Sequence, residues 1–190
     1  MDISTAKRAI RAQVRHSRSA RTPAERDALS AGLLETISSL IDTYSPACVA
    51  AFLPLPTEPP VTAAVARMLD SGVTVIVPVS HGEGAMTWHD VTVESLRDPG
   101  ADAEGMPIPR ELTAATVRPD LILIPAAAAD TRGNRLGWGK GYYDRYLATV
   151  DRSIPVIAVV FDDEVRTDIP VEPHDRSATH VATPTRVIRA

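Results

Sequence analysis

Four short segments of this chain are apolar along nearly their whole length, at residues 48–53, 73–79, 121–124 and 156–161. A strand with one wet face would read polar at every second position. These do not, so each strand must be covered on both faces. Helical spacing separates them, at residues 62–70 and 142–150, and two further helix patterns precede the first. Strands and helices taken by turns build a mostly parallel sheet with helices on both sides. The fold expected is α/β, a three-layer α/β/α arrangement with a mostly parallel central sheet. Aromatics are only 4% of residues, so the core must be aliphatic and rich in alanine. The 190 residues suit a single domain over 1–190, and no linker, repeat or low-complexity segment interrupts them.

The remaining pattern fills in around that sheet. Over residues 2–20, Ile3, Ala6, Ile10 and Val14 recur at helical spacing, and Lys7 and Arg11 share one side bordering that stripe. Thr22 reads as an N-cap, with Pro23 at the first helical position and Glu25 completing a capping box. The helix it opens carries Leu29, Leu33, Ile37, Leu40, Ile41 and Tyr44 on one side and stops at Ser45 and Pro46. A proline-rich loop at 54–60 contains Glu58, and Pro59 with Pro60 stiffens it. A further strand is expected at 86–91, an irregular stretch at 97–119 with a short helix near 111–115, and a glycine-containing loop at 126–141. Beyond Asp162 a short helix and a last strand near 180–182 are expected. Ligands of such sheets sit outside the carboxyl ends of the strands. Three loops start there, at 54–60, at 126–141 and from 162 onward.

Several function classes fall away. The net charge of −4 gives no basic field for nucleic acid. No apolar run approaches the roughly 18 residues of a membrane span. Cys48 is the only cysteine, which excludes an internal disulfide and a cysteine-rich zinc site, and it reads as a small buried hydrophobe. The five histidines show no metal-ligand spacing; His174 alone lies near the site proposed below. A cytoplasmic protein is the expectation, working as a monomer or weak dimer.

The strongest local signal runs Arg135, Leu136, Gly137, Trp138, Gly139, Lys140, Gly141, Tyr142, Tyr143, Asp144. Four of the ten glycines fall between 133 and 141, and three of the four tyrosines between 142 and 146. Alternating glycines that lead into a helix let backbone N–H groups converge on an anion, and the helix N-terminus adds partial positive charge. Arg135 and Lys140 add full charges. Neither a Walker A loop nor a dinucleotide fingerprint is present. The segment reads as a phosphate cradle, with a plain glycine-rich turn as the alternative.

The run from Arg135 to Arg145 resembles the signature of the 5-formyltetrahydrofolate cyclo-ligase family. Weaker matches fall in the same order: Lys7 and Arg11 in the opening helix, Phe52 to Leu55 followed by Glu58, Pro119 to Pro125, and the tail from Val171 to Asp175 with Thr183. The resemblance implies an ATP- and Mg²⁺-dependent ligase that converts 5-formyltetrahydrofolate to 5,10-methenyltetrahydrofolate, releasing ADP and phosphate. It implies Lys7, Arg135 and Lys140 as catalytic cations. It implies a nucleotide site of Lys7, Arg11, Arg135, Leu136, Gly137, Trp138, Gly139, Lys140, Gly141, Tyr142 and Tyr143. Folate contacts fall on Leu53, Glu58, Trp138, Gly139, Lys140, Gly141 and Tyr142, and the magnesium ligands on Asp144 and Asp175. Many relatives have glycine where Lys140 stands, so its ammonium is expected to help without being required. Ala129 replaces an aromatic residue common in the family, which removes side-chain volume near the site.

The chemistry fits those residue types. A formamide is a poor electrophile, and phosphorylating its oxygen makes that oxygen a leaving group. Phosphoryl transfer asks for positioning and charge neutralisation more than for a protein nucleophile. Two rivals share the scaffold: a non-catalytic folate- or nucleotide-binding protein, and a sugar-phosphate enzyme that binds phosphate without ATP.

Overall fold

The computed structural model describes residues 2–172 and 175–190, and for Glu83 the backbone alone. His174 therefore lies outside the described residues. In chain order the helices are α1 (Ile3–Ala20), α2 (Pro23–Tyr44), α3 (Thr62–Asp70), α4 (Val93–Arg97) and α5 (Tyr142–Thr149). The strands are β1 (Cys48–Ala50), β2 (Thr74–His81), β3 (Ala85–Asp90), β4 (Gly100–Ala101), β5 (Pro107–Ile108) and β6 (Leu121–Pro125). They continue with β7 (Ala128–Asp130), β8 (Arg135–Leu136), β9 (Val156–Val159), β10 (Val165–Arg166), β11 (His180–Ala182) and β12 (Val187–Arg189).

Seven strands form the main sheet in the order β12-β11-β9-β6-β1-β2-β3. The inner five are parallel, and only the edges β3 and β12 run antiparallel. Side chains alternate across it with the strand period of two. Val49, Leu121, Leu123, Ile157 and Val159 face Leu33, Ile37 and Leu40 of α2 and Val65 and Met68 of α3. Cys48, Ala50, Ile122, Ile124, Val156, Ala158 and Val181 face Leu147 of α5, with Tyr143 and Tyr146 beside it. Leu33 and Ile37 are fully buried, each contributing about 1.5–3 kcal/mol relative to exposure. The expected α/β/α sandwich is the architecture found.

The helix boundaries follow from their caps. Thr22 accepts from the Glu25 amide, and the Glu25 carboxylate accepts from the Thr22 amide, closing the capping box. Ser45 ends α2 in the left-handed conformation, before Pro46.

Four local expectations are corrected. The first strand ends at Ala50, with one further bond from the Ala51 amide to the Ile76 carbonyl at 2.8 Å, although residues 51–53 stay buried. Residues 126–141 hold a hairpin, β7 with β8, and not only a loop. The buried Asp130 carboxylate folds its turn, accepting from the amides of Arg132 at 2.9 Å and Asn134 at 3.0 Å. No helix forms near 111–115; Ala114 bridges His89, and the chain there hydrogen-bonds the open edge of β3 instead. The element after Asp162 is a single 3₁₀ turn, Asp162–Glu164. The sequence reading also passed over α4 and the edge strand β12.

A second sheet, β10-β7-β8, stands at the carboxyl ends of the main one. Ile10 and Val14 of α1 pack on it, against Ala127, Ala128, Leu136 and Ile169, with Trp138 alongside. The first helix thus lies over the strand ends. Ala129 is fully enclosed in β7, between Arg135 and Val165. Among the described residues no helix is long and apolar enough to cross a membrane.

Candidate active site

α1 presents Lys7, Arg11, Val14 and Arg18 at spacings of four, three and four, which places them on one face. Val14 anchors that face in the small sheet, and the three cations beside it reach different parts of the strand-end surface. Arg11 Nε donates to the Gly137 carbonyl at 2.8 Å, joining α1 to the glycine segment. Lys7, 8% exposed, donates from Nζ to Glu172 at 2.6 Å and Asp175 at 3.0 Å. Burial lowers the Lys7 pKa, but the hydrogen bonds it donates to the two carboxylates, with their charge, outweigh it and the net shift is upward. The ammonium therefore stays charged.

The glycine segment itself runs from β8 into α5. Gly139 and Gly141 both adopt positive φ, of 96° and 71°, a conformation that glycine takes without steric cost. Gly141 is the N-cap of α5 and supplies no side-chain cap. The opening amides of that helix are therefore left to an outside acceptor, as an anion site requires. Arg135 lies almost wholly buried beneath, donating from Nη2 to Asp144 in the first turn of α5. Its Nε is buried, with no hydrogen-bond partner among the described residues. Lys140 turns outward and pairs with Glu104, which also accepts from the Tyr142 hydroxyl at 3.3 Å.

Glu58 is 4% exposed, at the end of the loop after β1. Burial pushes its carboxyl above the usual range, against the Leu55 amide, the Arg18 charge and the Trp138 indole, which all lower it. The Leu55 amide donates to it at 3.0 Å. The Trp138 N–H acts on Glu58 electrostatically but is buried without meeting full hydrogen-bond geometry. Burial likewise raises the Tyr143 hydroxyl, with the Glu58 charge adding to the effect and Arg135 opposing it. Glu58, Trp138, Tyr143 and Arg135 thus share one electrostatic neighbourhood. Leu53 belongs to the core packed under the α2 face of the sheet.

Arg11 therefore meets the glycine segment, Lys7 meets Asp175, and Arg135 meets Asp144. Lys140 stands apart from the other cations, on Glu104. Among the described residues no three His, Cys, Asp or Glu side chains converge as a metal cluster. The sequence reading missed Arg18 and its pairing with Glu164. Arg18 donates from Nε and Nη2 to the two Glu164 oxygens at 2.7 and 2.8 Å, both side chains being at most 2% exposed. Its position on the Lys7–Arg11 face is the signal that would have found it. A cavity of about 480 Å³ also opens among Tyr44, Arg132, His180 and Arg189. It lies at the amino ends of β9 and β11, the wrong end for this chemistry.

A glycine-flanked helix N-terminus bordered by cations, at the carboxyl ends of a parallel sheet, is the arrangement in which α/β enzymes as a class hold phosphate-bearing ligands. The chain belongs to the 5-formyltetrahydrofolate cyclo-ligase family, whose model matches residues 3–184. A 5-formyltetrahydrofolate cyclo-ligase of Mycolicibacterium smegmatis is 40% identical over 150 residues, covering 75% of this chain and 76% of that protein. The solution structure of Aquifex aeolicus 5,10-methenyltetrahydrofolate synthetase superposes with a TM-score of 0.80 at 27% identity, covering 96% and 92% of the two chains. A Mycoplasma pneumoniae 5,10-methenyltetrahydrofolate synthetase shares the fold, with a TM-score of 0.69 at 22% identity over 92% and 96%. The resemblance read from the sequence is borne out, and the protein is a carbon–nitrogen bond-forming ligase.

Proposed function

We propose that this enzyme uses ATP and Mg²⁺ to convert 5-formyltetrahydrofolate to 5,10-methenyltetrahydrofolate. The observation that carries it is the uncapped start of α5 at Gly141, bordered by Arg11 and Arg135. Free helix amides beside fixed cations suit a triphosphate. The nucleotide site comprises Lys7, Arg11 and the segment from Arg135 to Tyr143. Glu58 accepts hydrogen bonds from the amino and ring N–H groups of the pterin, with Leu53 as an apolar wall and Trp138 to Tyr142 closing the site.

The donor set also fits a magnesium ion. Mg²⁺ in nucleotide sites takes one or two carboxylates and completes its shell with phosphate and water. Asp144 and Asp175 are two such carboxylates, each now balanced by a cation, Arg135 and Lys7. Both cations would turn to phosphate oxygens when the carboxylates hold a metal. When bound, the ion supplies charge neutralisation on the transferring phosphoryl group.

The formyl oxygen attacks the γ-phosphorus, and the bond to the β–γ bridging oxygen breaks, releasing ADP. Lys7 and Arg135 stabilise the charge spread over the phosphoryl oxygens. The N10 amine then attacks the activated carbon, the C–O bond breaks, phosphate leaves with both electrons, and N10 loses its proton. The near-ultraviolet absorbance of the methenyl product tests this. It should appear with 5-formyltetrahydrofolate, ATP and Mg²⁺ together and in no mixture lacking one of them. Turnover without nucleotide, or no turnover across pH and metals, contradicts the proposal.

A further inference from the structure

We propose that Arg18 is a specificity residue, whose Nη1 donates to the 4-oxo oxygen of the pterin while Glu58 accepts from the adjoining ring N–H and 2-amino group. The inference rests on the folate assignment above and deepens it.

A guanidinium carries five N–H donors in a rigid fork. In Arg18 the Nε and Nη2 edge is spent on Glu164, and Nη2 also donates to the Ala126 carbonyl at 2.8 Å. Among the described residues Nη1 has no partner, and it has no access to water. A charged donor left unsatisfied in an enclosed site is costly unless a ligand completes it. The guanidinium lies 5.2 Å from the Trp138 ring centroid, and its charge acts directly on Glu58. Glu58 is itself enclosed and accepts a hydrogen bond from the Leu55 amide.

Trp138 covers this pair. Its indole N–H is directed at Glu58 yet completes no hydrogen bond. Gly137 and Gly139 flank it, Gly139 at φ of 96°, so neither neighbour carries a side chain beside the indole. A flat ring entering there meets a carboxylate acceptor beside a guanidinium donor. The lactam edge of a 2-amino-4-oxopteridine offers the complementary pattern, N–H beside C=O. A 2,4-diaminopteridine puts a donor, and on protonation a positive charge, where Arg18 has its own.

The test is the ratio of dissociation constants for 5-formyltetrahydrofolate and a 2,4-diaminopteridine of matching side chain, read by calorimetry without nucleotide. Removing Arg18 alone would strand Glu164, so the variant is Arg18→Met with Glu164→Gln, which keeps an acceptor for the Phe161 amide. Circular dichroism and retained ATP binding establish its fold. A second variant, Arg18→Lys, keeps the charge but not the fork. Preference for the 4-oxo compound should fall roughly 10- to 100-fold in both. A folded variant that keeps the wild-type ratio overturns the inference and leaves the folate assignment standing. Wild-type protein that binds neither pteridine overturns the folate assignment itself.

Discussion

Arg11 Nε donates to the carbonyl oxygen of Gly137 at 2.8 Å, so the first helix holds the glycine segment from a point far away in sequence. Burial is the first cause that lowers the Arg11 pKa, with Arg15 next, and the guanidinium stays charged at any working pH. Arg11→Ala should weaken ATP binding roughly tenfold, as loss of one charge-assisted bond does. The melting temperature should change little, because Val14 and not Arg11 anchors the helix. Calorimetric titration with Mg-ATP checks it; unchanged affinity would separate α1 from the nucleotide.

Asp144 neutralises Arg135, a side chain only 3% exposed. Asp144→Asn leaves that guanidinium without its counter-charge. Asp144 is partly solvated, so the stability cost is about 1–2 kcal/mol, below that of a fully enclosed pair. Turnover should fall far more, and the magnesium needed for half-maximal rate should rise. Urea unfolding and a magnesium titration measure the two effects separately.

Glu58 gives a pH signature. Burial holds its folded-state pKa above the ordinary 4.5. At low pH the carboxyl is neutral in both states; as pH rises past the ordinary value the unfolded chain releases its proton first, while the native state must keep the proton or lose it and carry a buried charge. Stability is therefore lost with rising pH at this site. Glu58→Gln should gain stability relative to wild type as pH climbs from about 4 to about 8. Folate binding, which uses the ionised carboxylate, should strengthen over the same window in wild type and not in the variant. Paired thermal melts and titrations across that range decide it.

Gly32 on α2 lies against the tail: a Cβ there would clash with the Pro184 carbonyl oxygen. Gly32→Ala should cost about 1–3 kcal/mol by overpacking, despite alanine's better helix propensity. Urea denaturation checks this, and a stabilised variant would contradict the close approach.

The layered fold was legible because its strands are apolar throughout and its caps are local: Thr22 with Glu25 needs only four residues to declare itself. The glycine segment was legible because its backbone demands are written as glycines at 139 and 141. Arg18 with Glu164 was not, since a buried ion pair between residues 146 apart leaves no local pattern. The chain near 111–115 misled for a related reason: the open edge of β3 offered hydrogen bonds that helix propensity does not register.

The central chemical claim is that the formyl oxygen leaves as part of phosphate. Substrate labelled with oxygen-18 in the formyl group, turned over with Mg-ATP, should yield phosphate that carries the label, seen as an isotope shift in its phosphorus resonance. Unlabelled phosphate, with the heavy oxygen lost to water, would contradict the account.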